Sequence, residues 1–467
     1  MASTTWVGGD SGNETDWNTG ANWSTGSIPT TNAHVVIANT GHNCALDTTR
    51  TIGSLTIQAG ATIVGGGNKL IIQSEGDASG GTEHYALKND GIVSGNLHLE
   101  FTYAGETAAD FNGSSGNFND IKLNAASVDL NQVGVATFDS LIIVANATYD
   151  AGNDGLTISG AVSCSGIFLG NSTTTISHGS LTVNSGGTYS ATSGTTTITS
   201  EAGTGYAIEL SGTYTHNSGI LKITTDANTF LKPNDKVNHL IIEPATSTRV
   251  YEYVNNATIQ GDLTINAGRL AHYSSTYSLD VNGDCTVNNT GILDGGSGSI
   301  ELGSLTIASG GEYRATSGTT TITSESSGGN AINIDGSFVH NKGTVKIDHD
   351  TSTNLDIIGT TGVDLYDLIV DSDGTVGYNT SVIENNLTKL GSGLMRPTGD
   401  TGRNLTVKGT FLVQAGSFGR GANDTNTNTF GNIVVEGGEL ILTGGGGSGK
   451  TIVNGVFRNV GGTITSH

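Results

Sequence analysis

The segment from Gly444 to Thr451 has the spacing of a phosphate-binding loop, which would hold a nucleotide. It reads GGGGSGKT and matches GxxxxGK[ST], a pattern that binds phosphates when a strand precedes it and a helix follows it. The preceding GELILT is typical of a strand, but the following TIVNGVFRN is rich in β-branched residues and predicts another strand. We therefore expect a glycine-rich corner here and no nucleotide cofactor.

Two further short motifs suggest chemistry that their surroundings do not support. Gly9-Asp10-Ser11-Gly12 has the letters of the nucleophile loop of trypsin-like proteases, but in that family the His and Asp precede the Ser in the chain. Asp371-Ser372-Asp373-Gly374 begins like a calcium-binding loop, but it lacks a third acidic ligand and the Glu at position 12. Both segments are predicted to be turns, the second one solvated.

Three residue types recur at equivalent positions of two related segments: His216, Asn217 and Glu201 in the first, and His340, Asn341 and Glu325 in the second. In a repeat protein such recurrence indicates a shared corner or stacking position. A ligand pocket that is present twice is the alternative.

Paired carboxylates would suit glycoside hydrolysis, since a glycosidase needs two of them about 5–9 Å apart. Candidates are Asp348 with Asp350 and Asp364 with Asp367, but nothing in the sequence separates them from ordinary surface charge. A lyase would also need basic residues beside the sugar carboxylate, and the chain has only 19 Lys and Arg. We predict no enzyme activity, no catalytic residues, no cofactor and no metal ligands.

The elements that carry these residues are set by an internal duplication. Residues 180–223 and 304–347 align without a gap at an offset of 124, with 27 identities in 44 positions. Within and around them, short strands with apolar residues at alternate positions end in Gly or Asn corners, at a spacing of about 20 residues. This pattern predicts an all-β fold, a right-handed parallel β-helix (solenoid). An array of β-sandwich domains is the alternative, although each sandwich needs about 100 residues.

Composition agrees with many short strands and excludes several classes of function. The 467 residues include 71 Gly and only 4 Pro, which suits tight corners between hydrogen-bonded turns. A net charge of -23 argues against nucleic-acid binding through a basic face. Since no run approaches 18 apolar residues, we expect no membrane insertion. Cys44, Cys164 and Cys285 fit neither a zinc spacing nor a disulfide framework, and we expect buried free thiols.

The first 50 residues differ from the rest because they contain all three tryptophans, Trp6, Trp17 and Trp23. We interpret residues 1–50 as an N-terminal cap or attachment segment, with the tryptophans as candidate attachment residues. The remaining chain is predicted to comprise four parts: β-helix coils at 51–137, repeat copy one at 138–256, repeat copy two at 257–370, and C-terminal coils at 371–467. The opening residues have no basic and apolar pattern of an export signal, so we expect none.

The opening W-x-GG…W-N-x-x-x-N-W…VVI, followed by many SLTI-x-x-GAT coils, resembles the large β-helical surface and virion proteins of bacteria and their phages. The coils extend this resemblance over most of the chain, and the Trp-bearing opening covers about 40 residues of it. The resemblance implies a non-catalytic structural protein of the virion surface, such as a phage tail fibre, spike or capsid-decorating fibre, made in the host cytoplasm. It includes no catalytic motif.

The expected role is attachment or host-surface binding, and the expected partners follow from it. We predict self-association as a homotrimer, because Thr-rich and weakly charged β faces favour packing against identical faces. Other virion structural proteins would bind the N-terminal segment, and a host-surface polysaccharide is a further partner. The alternatives are a polysaccharide depolymerase on the same scaffold and a secreted bacterial adhesin at the cell surface.

Overall fold

The computed structural model describes residues 2–74, 85–103, 109–112, 116–171, 175–234, 237–349, 354–359, 363–398, 402–419, 424–442 and 448–466. These residues belong to two compact units, Met1–Lys232 and Pro233–His467. The finer division predicted from the sequence stays a prediction.

Both units are parallel β-solenoids, which confirms the predicted fold class. Together they contain about 18 turns at a spacing of about 22 residues, slightly more than the predicted 20. Apart from the 3-10 turn Gly20–Asn22, the described residues contain no helix, and thus no helix that is long and apolar enough to cross a membrane.

The first unit contains strands β1 to β23, which are, in chain order, Ser3–Trp6, His34–Ile37, Cys44–Ala45, Arg50–Ile52, Ser54–Ile57, Thr62–Val64, Lys69–Ile72, Tyr85–Asn89, Ile92–Phe101, Ala109–Asn112, Gly116–Leu123, Asp129–Gln132, Ala136–Ile143, Thr148–Asp150, Leu156–Cys164, Ile167–Leu169, Ile176–Val183, Thr188–Ser190, Thr195–Ile198, Tyr206–Leu210, Thr213–Thr215, Ile220–Ile223 and Thr229–Lys232.

The second unit contains strands β24 to β48, which are, in chain order, His239–Ile242, Val250–Tyr253, Ala257–Ile259, Leu263–His272, Leu279–Asp294, Ile300–Ile307, Glu312–Arg314, Thr319–Ile322, Asn330–Ile334, Ser337–Val339, Thr344–His349, Asn354–Gly359, Val363–Leu365, Asp367–Ser372, Thr375–Tyr378, Ser381–Ile383, Leu387–Lys389, Leu394–Pro397, Leu405–Val413, Ser417–Phe418, Thr427–Val435, Glu439–Ile441, Lys450–Val453, Phe457–Asn459 and Thr463–Thr465.

One face of the first unit is a sheet of ten parallel strands, in the order β1-β2-β5-β8-β10-β12-β14-β16-β18-β21. Alternate residues of each strand point inward, and register-paired inward residues form columns along the core. In one column Tyr149, Phe168, Tyr189 and Tyr214 stack ring on ring, with centroids 4.4 Å apart between Phe168 and Tyr189 and 5.6 Å apart between Tyr189 and Tyr214. All four side chains are buried.

The longer strands bend where glycines of neighbouring turns stack closely. The register of β15 with β17 shifts between Ile158 and Ala161, around Gly160. A Cβ atom on Gly179 of β17 would lie 2.4 Å from the Gly160 carbonyl oxygen, closer than any real contact. Only glycine fits at this bend, because the backbones of adjacent turns touch there.

The second unit repeats this plan. Leu293, Tyr313 and Phe338 are register partners and occupy the place of Phe168, Tyr189 and Tyr214. The core of the duplicated turns is thus built from equivalent inward residues in both units.

The three cysteines are buried and free, as predicted. Burial raises the pKa of the Cys164 and Cys285 thiols to about 12. The thiols are therefore neutral and serve as small apolar groups of the core.

Candidate functional site

The segment with the phosphate-loop pattern is followed by a strand, as predicted. Residues 443–447 lie outside the described residues, but Lys450 begins β46 and is the register partner of Thr427 in β44. No helix N-terminus follows the lysine, so the structural context of a phosphate-binding loop is absent from the described part of this segment.

The Gly9–Gly12 motif lies in a turn, but the predicted turn at Asp371–Gly374 is only partly correct, because Asp371 and Ser372 end β37 and only Asp373 and Gly374 lie in the bend that follows. The backbone amide of Asn13 donates a hydrogen bond to the Asp10 carbonyl at 3.0 Å, which closes a turn over residues 10–13. In the second motif Asp373 accepts hydrogen bonds from the hydroxyl and amide of Ser392, at 2.6 and 3.1 Å, which lower the pKa of its carboxyl. Across the described ranges, no three His, Cys, Asp or Glu side chains converge on a point where a metal ion would fit.

The recurring histidines act as acceptors in matching corners. Nδ1 of His216 accepts a hydrogen bond from the backbone amide of Ser218 at 2.9 Å, and Nδ1 of His340 accepts one from Lys342 at 3.0 Å. The imidazole thus closes the same tight turn in both copies. This geometry supports the shared-corner interpretation of the recurrence.

The recurring asparagines complete these corners. Asn217 and Asn341 have φ of +48° and +46°, in the left-handed region. Their side-chain amides donate to carbonyls of the preceding turn, Asn217 to Ala191 at 2.7 Å and Asn341 to Ala315 at 2.8 Å. Asn is suited to both tasks, because it tolerates positive φ and carries a donor.

The carboxylates proposed from the sequence have structural partners. Asp348 lies 2.5 Å from Nζ of Lys346, and Asp367 accepts a hydrogen bond from the side chain of Asn385 at 2.9 Å. Partial burial raises the pKa of Asp364, and Glu384 adds to the shift. Asp350 lies outside the described residues.

The recurring glutamates differ between the copies. Glu201 accepts a hydrogen bond from Thr225 at 3.4 Å. Burial raises the pKa of Asp356, and the charge of Glu325 contributes to that shift. The two glutamates therefore have different neighbours in the two copies.

The three tryptophans are packed together in the interior of the N-terminal segment. Trp6, Trp17 and Trp23 are 0%, 1% and 2% exposed. The ring of Trp23 meets the other two edge-on, with its centroid 5.0 Å from that of Trp6 and 4.7 Å from that of Trp17. The indoles are thus unavailable for direct contact with a partner in this fold. The role of residues 1–50 as a cap stays a prediction. Attachment through this segment also stays a prediction, and it would use residues on the outer surface of the segment.

A groove in the second unit is the best candidate for a binding site. It has a volume of about 220 Å³ and lies across β28, β29 and β31, lined by Ser278, Leu279, Asp280, Ser299, Ile300, Glu301 and Thr321. We call it the Asp280 groove. Asp280 and Glu301 are register partners on adjacent parallel strands, so their backbones lie about 4.8 Å apart.

The alternation of the two strands directs both carboxylates outward. Leu279 and Ile300 are buried beside them, and Glu301 is exposed. Like charges directly opposite each other on neighbouring strands repel and reduce stability. Asp280 and Glu301 therefore form an acidic pair of positions on the outward side of β28 and β29.

The first copy of the duplication has hydroxyls at the corresponding place. The register column there is Thr157, Ser177 and Thr197, against Asp280, Glu301 and Thr321 in the second copy. The apolar inward neighbours Leu156 and Ile176 of the first copy match Leu279 and Ile300 of the second, so at this column the copies differ in the charge of the outward face. An ionised carboxylate can accept hydrogen bonds, and a hydroxyl can both donate and accept them.

Sequence reasoning did not single out Asp280 or Glu301, although a signal for them was present. The alignment of GLTISG at 155 with SLDVNG at 278 places Asp280 opposite Thr157. Protein-family models, curated proteins and solved structures offer no match to this chain, so a function must be inferred from its own residues.

Proposed function

We propose that this protein is a non-catalytic attachment fibre of a virion surface, such as a phage tail fibre, spike or capsid-decorating fibre, that binds a host-surface polysaccharide at the Asp280 groove. The observation that carries the proposal is the contrast between the two copies. The equivalent turns share their corner residues and the apolar residues beside this column, but in this outward column only the second copy has carboxylates.

The recurring polar residues support a structural role for the scaffold itself. His216 and His340 are engaged in closing corners, and Asn217 and Asn341 join each corner to the preceding turn. Side chains that would be candidates for chemistry are therefore used to build the solenoid. Binding is left to the outward faces of the strands.

The chemistry of the groove favours a neutral polyhydroxylated ligand. Carboxylate oxygens and the hydroxyls of Ser278, Ser299 and Thr321 match the donors and acceptors of sugar hydroxyl groups. An anionic polysaccharide would be repelled by Asp280 and Glu301 and by the net charge of -23.

Binding of purified full-length protein to neutral host-surface polysaccharides, measured by biolayer interferometry, tests the site. The double substitution Asp280→Thr and Glu301→Ser gives the groove the residues of the first copy and should weaken binding at least tenfold. The control Asp90→Asn with Glu436→Gln removes the same charge from two exposed positions and should bind like wild type. Equal binding by all three proteins would refute the groove as the site.

A depolymerase is the second candidate, because Asp280 and Glu301 are register partners on adjacent strands and a glycosidase needs two carboxylates about 5–9 Å apart. If wild-type protein releases reducing ends from the bound polysaccharide and Asp280→Asn does not, the protein is a hydrolase and the non-catalytic proposal is wrong.

Mass spectrometry of purified virions tests the location. Absence of the protein from particles, with secretion genes in its gene neighbourhood, would favour the adhesin.

We also propose a homotrimer, with the N-terminal segment bound to other virion proteins. The outward column Thr137, Thr157, Ser177 and Thr197 is uncharged and register-paired over four strands, which suits packing against an identical face. Light scattering at about 0.15 M salt, where surface charges are screened beyond about 8 Å, should give three times the chain mass of 47.5 kDa. A persistent 47.5 kDa species would refute the trimer.

A further inference from the structure

A histidine lies in the core of the first unit, among the stacked aromatic rings. The side chain of His178, on β17, is fully buried. Its Nε2 lies 2.6 Å from the hydroxyl of Tyr189, and its ring meets those of Phe168 and Tyr189 edge-on, each at 5.8 Å. Nδ1 is buried and has no hydrogen-bond partner.

The surroundings of His178 disfavour a positive charge, because burial outweighs the one contribution that favours it, from the backbone of Ser177. Strands β15 to β19 carry no Asp or Glu. Strand β20, which pairs with the end of β17 at Leu181–Val183, carries Tyr206 and Glu209, and Glu209 accepts a hydrogen bond from Lys232 at 3.0 Å. The other titratable side chains on the strands that contact His178 are Cys164 on β15 and Tyr189 on β18. Both are neutral in acid, since burial raises the pKa of each. An imidazolium here would donate from both nitrogens, with no acceptor for Nδ1 and no counter-ion.

Burial accordingly lowers the pKa of His178 to about 3, an effect that the backbone of Ser177 opposes only in part. In the unfolded chain the imidazole takes up its proton near pH 6.5. Because the folded pKa is depressed, the folded turns are fully stable above pH 6.5. They lose stability as the pH falls from 6.5 towards 3.

The second copy provides an internal comparison without this group. Leu302 stands at the position of His178 and is also fully buried. There the hydroxyl of Tyr313, the equivalent of Tyr189, bonds Oγ1 of Thr320 at 2.7 Å instead. The same turn is therefore built once with a titratable core residue and once without.

We propose that His178 is an acid-sensitive switch that opens the turns of the first copy, residues 176–215, while the equivalent turns 300–339 of the second copy stay closed. Local opening is possible because each turn of a solenoid contacts only its neighbours. Opening exposes Tyr189, Tyr214 and the apolar column of the first copy in a mildly acidic environment. The inference is independent of the proposed attachment function.

Hydrogen exchange of the full chain, followed by mass spectrometry at pH 7 and pH 4.5 and corrected for the intrinsic rates, tests the switch. Protection factors of 176–215 should fall about a hundredfold, tenfold for each of the two pH units below 6.5. Those of 300–339 should change less than threefold. An equal loss of protection in both copies would overturn the proposal.

Two substitutions exchange the residue between the copies. His178→Leu introduces the residue of the second copy and should abolish the loss of exchange protection in 176–215 at pH 4.5. Leu302→His should produce the same loss of protection in 300–339. Retention of the full loss in His178→Leu would refute the role of the imidazole. If His178→Leu does not fold, the comparison of the two copies in wild type and in Leu302→His still decides the question.

Discussion

Nε1 of Trp23 donates a hydrogen bond to the backbone carbonyl of Trp17 at 2.8 Å, and the two indole rings meet edge-on at 4.7 Å. Around this pair, the backbone amide of Ser24 donates to the Thr5 carbonyl at 2.8 Å, and the Thr5 amide donates to Oγ of Ser24 at 2.9 Å. The tryptophans thus hold residues 23–24 against β1, the first strand of the ten-stranded sheet.

Replacing Trp23 by Ala should therefore destabilise the first unit strongly. Truncation of a buried tryptophan costs about 3–5 kcal/mol, because it leaves a cavity and removes the contacts of the ring. Trp23→Phe keeps most of the apolar contacts and loses the bond to Trp17, so about 1 kcal/mol of that loss is expected from the bond. Denaturant unfolding followed by circular dichroism measures both, and an unchanged midpoint for Trp23→Ala would contradict the packing role.

Lys389 should make the stability of the second unit depend on pH in the alkaline range. Its side chain is buried, and Nζ donates a hydrogen bond to the Gly391 carbonyl. Burial lowers the pKa of its ammonium to about 8, against the opposing attraction of Asp371 and Asp373. Since the folded pKa is below the unfolded value of about 10.4, the burial cost is fully present below pH 8 and disappears as the pH rises towards 10.4.

Lys389→Met should accordingly be more stable than wild type at pH 7, and the difference should shrink above pH 8 by at most about 1.4 kcal/mol per pH unit. The comparison is made between the two proteins at each pH, because buried thiols and tyrosines also titrate in alkali. Urea midpoints from pH 7 to 10 provide the measurement. A difference that stays constant over this range would show that the amine is not buried as described.

The fold was predictable because its signals are local or repeated. Inward and outward residues alternate within each strand, as where Leu55 and Ile57 are buried and Thr56 between them is partly exposed. The alignment of the two copies gives the spacing of the turns. The Asp280 groove was harder to predict. Asp280 and Glu301 are 21 residues apart and meet only through the register of β28 with β29, whereas the carboxylates considered from the sequence were close together in the chain.

The tryptophans show a different limit of the sequence. Their concentration near the N-terminus distinguishes residues 1–50 from the coils, but it does not tell whether the indoles face a partner or one another. That depends on the chain reversal near Gly20–Asn22, which brings Trp23 back to Trp6 as an antiparallel bridge partner. The same limit applies to His178. The alternation of residues along β17 predicts that its side chain points inward, but its hydrogen-bond partner Tyr189 lies on another strand, and the sequence does not predict that contact.

Substitution of stacked corner glycines should be costly at equivalent positions of both copies. A Cβ atom on Gly212 would lie 2.3 Å from the Asn184 carbonyl oxygen, and one on Gly336 would lie 2.4 Å from that of Ala308. Ala at either position must push adjacent turns apart, at about 1–3 kcal/mol. Gly203→Ala is the control, because nothing lies within 4 Å of its Cβ position, and it should be neutral or slightly stabilising. Equal thermal midpoints for Gly212→Ala and Gly203→Ala would contradict the close approach.

The corner asparagines allow the left-handed backbone and the hydrogen bond to be separated. Asn217→Ala puts alanine, which is disfavoured at positive φ, at φ +48°, and it also removes the hydrogen bond to Ala191. The two effects together should lower the free energy of unfolding by about 2 kcal/mol. Asn217→Gly relieves the backbone and removes only the side-chain hydrogen bonds, to Ala191 at 2.7 Å and to Oγ of Ser190 at 2.9 Å, and should lose about 1 kcal/mol.

The same substitutions at Asn341, where φ is +46° and the bond to Ala315 is 2.8 Å, should give the same order, because the two corners share the left-handed backbone and the bond to the preceding turn. Denaturant midpoints of the four variants measure this. If Gly were as destabilising as Ala at both corners, the left-handed backbone would contribute nothing, and the hydrogen bond between turns would account for the whole effect.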